Sequence, residues 1–299
     1  MSETVVEDGL STLMRHLRFR ARVFFRSEYC GSWAVDTSGS QQVPFHMVCQ
    51  GEGWLHSANA EPTHMIAGQL VLFPGDKPHV LANSDDPPAD HTINTAEPGY
   101  RPDEGASTRL VCGYFEFDQR AAGAFLSSLP GTMIVDVGKT ERSDVRELVN
   151  LWISESREDQ MGTALAVDLL AELVFLQMLR AEAQAGRMGG VVGALTDTKL
   201  GAALHAMHTQ PELGHSNADL ARTAGMSESA FGKRFKRELG MTPGAYLREW
   251  RMNMAARALR ESERSMLDIA LSIGYESEVA FRKAFKSHFG ESPGRYRRA

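Results

Sequence analysis

The side chains best suited to chemistry lie in two segments of the last third of the sequence, where cationic residues recur at matching positions. Aromatic residues at four-residue spacing mark one face of each segment, which leaves the opposite face to solvent or to a ligand. A helix fits the major groove of DNA, where long donors such as arginine and lysine can bond guanine O6 and N7. The pattern therefore predicts two helices that read DNA. Their outward faces carry Glu228, Ser229, Gly232, Lys233 and Lys236 in the first segment, and Glu278, Arg282, Lys283 and Lys286 in the second.

Position along each predicted helix separates two kinds of contact. Arg282 and Lys283 lie where side chains meet bases, and they are expected to set sequence preference. Lys236, Arg237 and Lys286 lie toward the helix ends, where cations meet phosphates. Phosphate contacts fix orientation without carrying sequence information.

The elements that position these residues form a repeat. Nine residues recur in order, offset by 49 positions before the serine and by 50 from the serine onward. The extra residue falls in a turn, where a duplicated unit tolerates it. Two matched copies argue against a pair of ordinary solvated helices. The two sets are Ala221, Gly225, Ser227, Phe231, Phe235, Lys236, Gly240, Pro243 and Tyr246, and Ala270, Gly274, Ser277, Phe281, Phe285, Lys286, Gly290, Pro293 and Tyr296.

Local signals predict the helix boundaries of each copy. Ser216 with Asp219, and Ser265 with Asp268, are capping pairs in which the acid can reach back to the amide of the cap. Ser227 and Ser277 cap the second helices, after glycines that permit a tight turn. Thr242-Pro243 and Ser292-Pro293 each begin a third helix, the first of which continues to Leu259 and holds the two copies apart. If their separation is near one DNA turn, ~34 Å, both second helices can enter successive major grooves.

The repeat resembles the DNA-binding domain of the AraC/XylS family of bacterial transcription regulators. The resemblance covers residues 200–298, and its most specific motifs are Ala270–Tyr275, Phe281–Lys286 and Gly290–Arg297. It implies an elongated all-helical domain that binds asymmetric promoter sites and usually recruits RNA polymerase.

The amino-terminal half predicts a different class of structure. Short alternating or apolar runs at residues 22–25, 45–49, 53–56, 69–73 and 110–117 are separated by turn residues, which indicates a small antiparallel barrel or sandwich. Residues 83–107 are expected to form a long exposed loop. Gly68, Pro74, His79 and Asn83 resemble the second motif of the cupin sensor domain that often precedes this DNA-binding module, although Asp76 stands where a glycine is usual.

His46, His79 and Cys112 are the candidate effector-binding or metal residues. The first cupin motif fits poorly, since Pro44 stands where metal-binding cupins place a glutamate. Strand periodicity points His46 into the barrel, with Phe45 and Met47 facing out. Three or four converging donors are generally needed for a metal. No metal or other cofactor is therefore assigned, and hydrogen-bonded core histidines are the competing interpretation. Phe24, Trp33, Trp54, Phe73 and Phe115 either line a ligand cavity or fill a core.

Charge and cysteine usage separate the two halves from one another and from other protein classes. From Asp197 onward there are 17 Lys and Arg against 12 Asp and Glu, whereas the preceding residues have 15 against 26. A basic segment after an acidic one indicates that only the basic segment binds a polyanion.

Three cysteines without paired spacing favour a reducing cytoplasm. No secretory signal is expected, since the acidic residues Glu3, Glu7 and Asp8 precede any hydrophobic stretch. No bilayer-spanning helix is expected either, since Glu172 interrupts the longest apolar run.

Helical periodicity begins after Pro130, with helices expected near residues 143–157 and 163–185. Leu165, Leu169, Leu173 and Leu176 lie on one side of the second helix, and Val167, Leu170, Val174 and Met178 on another. This helix is expected to pack on its own domain and on a second chain, with burial inside a monomer as the alternative. Gly186, Gly189, Gly190 and Gly193 indicate a flexible linker.

The predicted fold class is α+β: a cupin-like β-barrel with a helical dimerisation segment, followed by an all-α domain with two helix-turn-helix units at about 216–239 and 265–289. The domains are predicted at 1–185 and 197–299, joined by a linker at 186–196. The predicted function is a cytoplasmic homodimeric transcription regulator, an activator that responds to a small-molecule effector. Its partners are double-stranded promoter DNA and RNA polymerase, without a membrane. The alternatives are a cupin-type metalloenzyme, an oxygenase or isomerase, fused to a DNA-binding module, and an architectural DNA protein without a ligand.

Overall fold

The computed structural model describes residues 8–58, 60–86, 88, 93–94, 107–118, 121–136, 143–157 and 160–298. They form two compact units. The described parts of residues 18–118 and 129–182 make the sheet unit, and those of residues 1–17, 119–128 and 183–299 make the helical unit. None of the helices in the described ranges has the length and apolar character that a bilayer-spanning helix needs.

The sheet unit contains two antiparallel sheets. A five-stranded sheet has the order β1-β8-β3-β6-β9, and a four-stranded sheet has the order β2-β7-β4-β5. Side chains from both sheets, among them Val48, Val71 and Leu110 from one and Leu55 and Leu81 from the other, share one buried cluster. The sheets therefore face each other across a common core. Their strands are β1 Arg20–Tyr29, β2 Ala34–Val35, β3 Val43–Gln50, β4 Glu52–Ser57, β5 Thr63–Ile66, β6 Gln69–Leu72, β7 His79–Ala82, β8 Thr108–Glu116 and β9 Met133–Asp136.

Two helices, α3 Ser143–Glu155 and α4 Thr163–Gln184, cover the outer face of the five-stranded sheet. The Phe45 ring lies 5.9 Å from that of Trp152 on α3, and Phe115 lies 4.6 Å from Phe175 on α4. Phe45 and Met47 do alternate with His46, but the expectation that they face out needs correction, because both are fully buried. Sequence periodicity distinguishes the two faces of a strand, but it does not reveal that helices cover the second face.

Helix α4 also protects an exposed sheet edge. Strand β1 pairs only with β8, so one side of its backbone lacks a neighbouring strand among the described residues. The Val23 amide donates to the Asp168 carboxylate (2.7 Å), and the Ala21 amide donates to Glu172 (3.1 Å). These carboxylates occupy backbone donors that would otherwise be available to another strand.

All five predicted apolar runs lie wholly or mainly in strands, namely β1, β3, β4, β6 and β8. Strands β2, β5, β7 and β9 were not predicted, and each is two to four residues long, too short to show a period. Most of the loop expected at residues 83–107 lies outside the described residues. Closure of the two sheets into a barrel stays a prediction.

The helical unit gathers segments that are distant in sequence. Helices α1 Gly9–His16 and α2 Gly123–Ser127 join α5 Gly190–Thr196 and α6 Leu200–Thr209 in this unit. The remaining helices follow the predicted repeat. They are α7 Asn217–Thr223, α8 Glu228–Leu239, α9 Pro243–Glu261, α10 Met266–Ser272, α11 Glu278–Phe289 and α12 Pro293–Arg298.

The glycine-rich stretch expected to be a flexible linker contains a helix, and this expectation is corrected. Gly190 begins α5, whose Val191, Val192 and Ala194 are buried. Gly190 has a φ of 58°, which most residues with a side chain avoid. Glycine here serves a fixed backbone conformation, while the apolar residues between the glycines hold the segment in the core.

Two hydrophobic clusters organise the rest of the unit. The first contains Phe231 and Phe235 of α8, and the second contains Phe281 and Phe285 of α11. Helix α9 belongs to both, since Leu247 lies in the first cluster and residues from Met252 to Leu259 lie in the second. One continuous helix therefore joins the two repeated halves.

Candidate nucleic-acid interface and histidine cluster

Both copies of the repeat begin with the predicted serine cap, although the acid bonds the hydroxyl of the serine and not its backbone amide. The Asp219 amide donates to Ser216 Oγ (3.1 Å), and the Ser216 hydroxyl donates to the Asp219 carboxylate (2.5 Å). Ser265 and Asp268 repeat both bonds at 3.0 and 2.7 Å. The Ser216 side chain is the main cause that lowers the pKa of Asp219. A charged carboxylate at this end also complements the helix dipole.

The turns and the second helices agree with the repeat as well. Gly225 and Gly274 have φ values of 59° and 82°, in the left-handed region that glycine enters without strain. Ser227 Oγ then accepts from the Ala230 amide at the start of α8, and Ser277 Oγ accepts from Ala280 at the start of α11. The helices end at Gly240 and Gly290, again with positive φ. Their lengths and ends are therefore set by matched local signals.

Aromatic side chains hold the inner face of each second helix. Phe231, Phe235, Phe281 and Phe285 are fully buried, whereas Leu239 and Phe289 are partly buried at the edges of the two clusters. Since residues four apart lie on one side of a helix, this burial turns the other side away from the core.

The predicted DNA-contacting residues lie on that outward side. On α8, Glu228, Ser229, Lys233, Lys236 and Arg237 are exposed and Gly232 is partly exposed. On α11, Arg282, Lys283 and Lys286 are exposed and Glu278 is partly exposed. Each helix thus presents its own cationic face. The assignment of these residues to DNA stays a prediction.

Both predicted arginines already have carboxylate partners. Arg282 pairs with Glu278 one turn earlier, with Nη2 2.6 Å from Oε1, and Arg237 pairs with its neighbour Glu238 at 2.6 Å. Both pairs are largely exposed, so each contributes little to stability. These contacts restrict the two guanidinium groups without removing them from the surface.

Two other arginines, which the sequence did not single out, are structural. Arg234 of α8 forms an ion pair with Asp197, just before α6. Arg251 of α9 donates to the carbonyls of Pro211 and Leu213 at 2.7 and 2.8 Å. Arg234 is three residues after Phe231, and this spacing is a signal that it leans toward the core side of α8.

The candidate residues of the sheet unit do come together. His46 of β3 and His79 of β7 face each other with 3.1 Å between their Nε2 atoms. Cys112 Sγ of β8 lies 3.0 Å from Nδ1 of His46. Thr37 Oγ1, which sequence reasoning missed, lies 3.2 Å from both Nε2 atoms. Thr37 lies outside the named strands, so no alternation of residues along a strand could indicate that its side chain reaches the histidines.

The donors and acceptors around each ring determine which nitrogen of each histidine carries the proton. His79 Nδ1 lies 2.7 Å from the Lys77 carbonyl and must donate to it, which leaves Nε2 of His79 as an acceptor. His46 can then donate from Nε2 to His79 and accept at Nδ1 from the Cys112 thiol. Burial raises the pKa of Cys112 and lowers the pKa of His46 to about 3, which matches a neutral thiol and a neutral imidazole.

This arrangement does not fit a three-ligand metal centre. Cys112 approaches Nδ1 of His46 while His79 approaches Nε2, on the opposite side of the same ring. The three donors therefore cannot be aimed at one point, as coordination requires. Within the described residues, no group of three His, Cys, Asp or Glu side chains is arranged to hold a metal ion.

Acid is expected to destabilise the sheet unit because these histidines are held neutral. Burial, helped by the nearby His79, lowers the pKa of His46 from 6.5 to about 3, and burial lowers the pKa of His79 too. In the unfolded chain both take up a proton near pH 6.5, so below that pH the unfolded state binds more protons. The free energy of unfolding of the sheet unit therefore decreases as pH falls from 6.5 toward 3. At pH 5.5 the loss is about 1.4 kcal/mol for a fully shifted histidine.

Urea unfolding at pH 7.5 and 5.5, followed by tryptophan fluorescence, measures this loss. The His46→Gln variant should lose less stability between the two pH values than the parent protein. His64→Gln is the control, since His64 is exposed and lies at the surface beside Glu52 and Trp54. An equal pH dependence in the parent and His46→Gln would show that His46 is not the cause.

The aromatic residues divide between core and surface. Trp33 and Phe73 belong to the buried cluster shared by the two sheets, and Phe73 stacks on His79 with ring centres 3.6 Å apart. Phe115 is buried on the other face of its sheet, and Phe24 is 47% exposed. Phe73 is thus the aromatic residue of this set that lies directly against the histidine cluster.

Comparisons with known proteins cover both halves of the chain. A cupin family model matches residues 8–184, and a helix-turn-helix domain model matches residues 220–299. An HTH-type transcriptional regulator of Haemophilus influenzae is 30% identical over 91% of this chain and 92% of its own length. An AraC-like transcription regulator of Streptomyces lividans is 30% identical over 91% of each chain. The DNA-binding domain of AdpA, solved with a target DNA, is 31% identical over 34% of this chain and 92% of its own, with a TM-score of 0.33.

Proposed function

Because the chain belongs to the AraC-like helix-turn-helix transcriptional regulators and carries an amino-terminal cupin domain, we propose that it activates transcription from specific promoters in response to a small-molecule effector. The observation that carries the proposal is the pair of capped helices, α8 and α11, whose phenylalanines are buried and whose cations are exposed. The protein acts in the cytoplasm, where promoter DNA and RNA polymerase are available.

The two repeated halves act as two helix-turn-helix units on one duplex. Helices α8 and α11 enter successive major grooves, where Arg282 and Lys283 read bases with Lys233 as their counterpart on α8. Lys236, Arg237 and Lys286 bind phosphates. Glu228, Ser229, Gly232 and Glu278 complete the surfaces that meet the DNA. We propose a sensing and dimerisation domain at residues 1–185 and a DNA-binding domain at residues 197–299, joined by residues 186–196, although the described parts of residues 1–17 and 119–128 and helix α5 pack within the helical unit.

Selection of bound sites from a random DNA pool by the full-length protein tests this function. The expected outcome is an asymmetric motif with two conserved blocks about one DNA turn apart, and steep salt dependence of binding. Binding without any enriched motif would support the architectural alternative instead. A motif with one block would contradict the use of both helices.

The effector binds inside the sheet unit, which we propose closes into a barrel. His46, His79 and Cys112 contribute polar contacts there, and effector binding shifts a population of conformations through α4. The support is a buried polar cluster that contains two neutral imidazoles and a thiol within hydrogen-bonding distance. We propose no enzymatic reaction, since the donors of this cluster do not converge and the relatives are named as regulators.

A homodimer forms through α4. Leu165, Leu169 and Leu173 are 65%, 51% and 41% exposed, while Val167, Val174 and Met178 on the other side are buried. The leucines are four residues apart and form one apolar stripe. A stripe of this kind on a helix whose opposite side is already in the core favours packing against a second copy.

Replacing Leu169 by lysine is expected to weaken the dimer at least tenfold. A buried leucine contributes roughly 1.5 to 3 kcal/mol, and a two-fold interface contains each residue twice. Light scattering coupled to size exclusion should show a shift toward the monomer mass of 32.9 kDa as the protein is diluted. Ala164→Lys, an exposed position on the same helix outside the stripe, should keep the dimer. An unchanged mass for Leu169→Lys would place the interface elsewhere.

A further inference from the structure

The helical unit contains an open groove that neither the DNA-reading faces nor the sheet unit uses. It has a volume of about 480 Å³ and lies between α1 and the carboxyl-terminal half of α9. A volume of this size is in the range of small-molecule sites in proteins. Thr12, Arg15 and His16 contribute one wall, and residues from Trp250 to Arg264 contribute the other.

The groove has an excess of positive charge. Arg15, Arg257 and Arg264 line it against one acidic residue, Glu261. Arg257 uses Nε on Glu261 (2.8 Å) and Nη1 on the Arg15 carbonyl (3.4 Å), and Arg264 uses Nη2 on the Asp268 carbonyl (3.0 Å). A guanidinium has five N–H donors, so Arg257 and Arg264 both keep donors for a further acceptor. Two arginines that line one groove and keep donors suit a carboxylate or a phosphate group.

Stacked rings form the apolar part of the groove. Trp250 lies between His16 and His208, with ring centres 3.9 and 3.8 Å apart. Trp250 is 5% exposed and His208 is 3% exposed. Within the described residues, Trp250 Nε1 and His208 Nδ1 have no hydrogen-bond partner. Buried polar atoms without a partner cost stability, and a bound polar molecule or water beside them relieves that cost.

We propose that this groove binds a small organic anion, whose charged group pairs with Arg257 and Arg264 while its apolar part lies beside Trp250. The site belongs to the helical unit and is separate from the effector site proposed for the sheet unit. Its arginines supply the positive charge, since burial lowers the pKa of His208 to about 3 and keeps that ring neutral.

Benzoate and benzamide are the probes, because they share a flat ring and differ in charge. Titration of the full-length protein is followed by the indole N–H signals of its four tryptophans in ¹⁵N NMR spectra, with Trp250 assigned from a Trp250→Phe sample. Benzoate should move the Trp250 signal saturably, at millimolar concentration, and benzamide should bind at least tenfold more weakly. Equal binding of the two probes, or equal shifts of all four indole signals, would overturn the proposal.

An Arg257→Gln and Arg264→Gln double variant tests the charged part of the site. It should bind benzoate at least tenfold more weakly, while the control Arg222→Gln on α7, whose side chain is 78% exposed, binds as the parent does. An unchanged melting temperature and Trp250 signal in the double variant would show that its fold is intact. If the double variant instead loses affinity for random duplex DNA and binds benzoate normally, the arginines contact DNA phosphates and the proposal is wrong.

Discussion

Replacement of Phe285 by alanine is expected to lower the free energy of unfolding of the helical unit by about 3 to 5 kcal/mol, and to abolish specific DNA binding. The Phe285 ring is fully buried and lies 5.6 Å from Phe281, 4.6 Å from Phe289 and 5.3 Å from Tyr296. Its removal leaves a cavity at the centre of the second cluster, which surrounding helices cannot fill without moving α11. The cationic face of α11 then loses its fixed orientation.

Urea unfolding and fluorescence anisotropy with a selected DNA site measure the two effects. Val279→Ala is the matched control, since Val279 lies on the same helix and is 78% exposed. A surface substitution of this kind should change stability by no more than about 0.5 kcal/mol. A loss below about 1 kcal/mol for Phe285→Ala would mean that this phenylalanine does not anchor α11.

Replacement of Arg282 by alanine is expected to cost about 1 to 3 kcal/mol of binding to the specific site and to relax base selection at one position. In the free protein the guanidinium is held by Glu278 and remains exposed. Breaking an exposed ion pair of this kind costs only ~0.3 to 0.5 kcal/mol, which is less than a bidentate contact with guanine contributes to binding.

Anisotropy titrations on the specific site and on random duplex DNA separate the two roles that Arg282 can have. Lys286→Ala is the comparison, because a phosphate contact should weaken both complexes equally and reduce the salt slope by about 1. If Arg282→Ala behaves in the same way as Lys286→Ala, Arg282 binds a phosphate and base reading belongs to another residue.

The repeated helices could be predicted in detail because their signals are local. A serine cap, a glycine with positive φ and phenylalanines four residues apart act within a few residues of each other, and the structure has them where the sequence indicates. The glycine content of residues 186–193 predicts a mobile linker and not helix α5, because composition alone does not distinguish a mobile glycine from one in a fixed turn. Val191 and Val192, the apolar residues between those glycines, are buried and are the sequence signal for a packed segment.

The histidine cluster could be predicted only in part. Strand periodicity placed His46 inside, and the cupin-like spacing placed His79 opposite it. Whether their donors converge depends on ring orientations, which are set by contacts such as that between His79 and the Lys77 carbonyl. Thr37 reaches the cluster from outside the strands, where residue alternation does not predict the direction of a side chain.

The continuous course of α9 through both hydrophobic clusters has a consequence for promoter architecture. Because its two ends are packed into two separate cores, α9 is expected to hold the cationic faces of α8 and α11 at a fixed distance from each other. One inserted base pair would displace the second DNA block by about 3.4 Å and rotate it around the duplex axis. If α8 and α11 read DNA as proposed, promoters bound by this protein are expected to conserve the length of the unread segment between the two blocks.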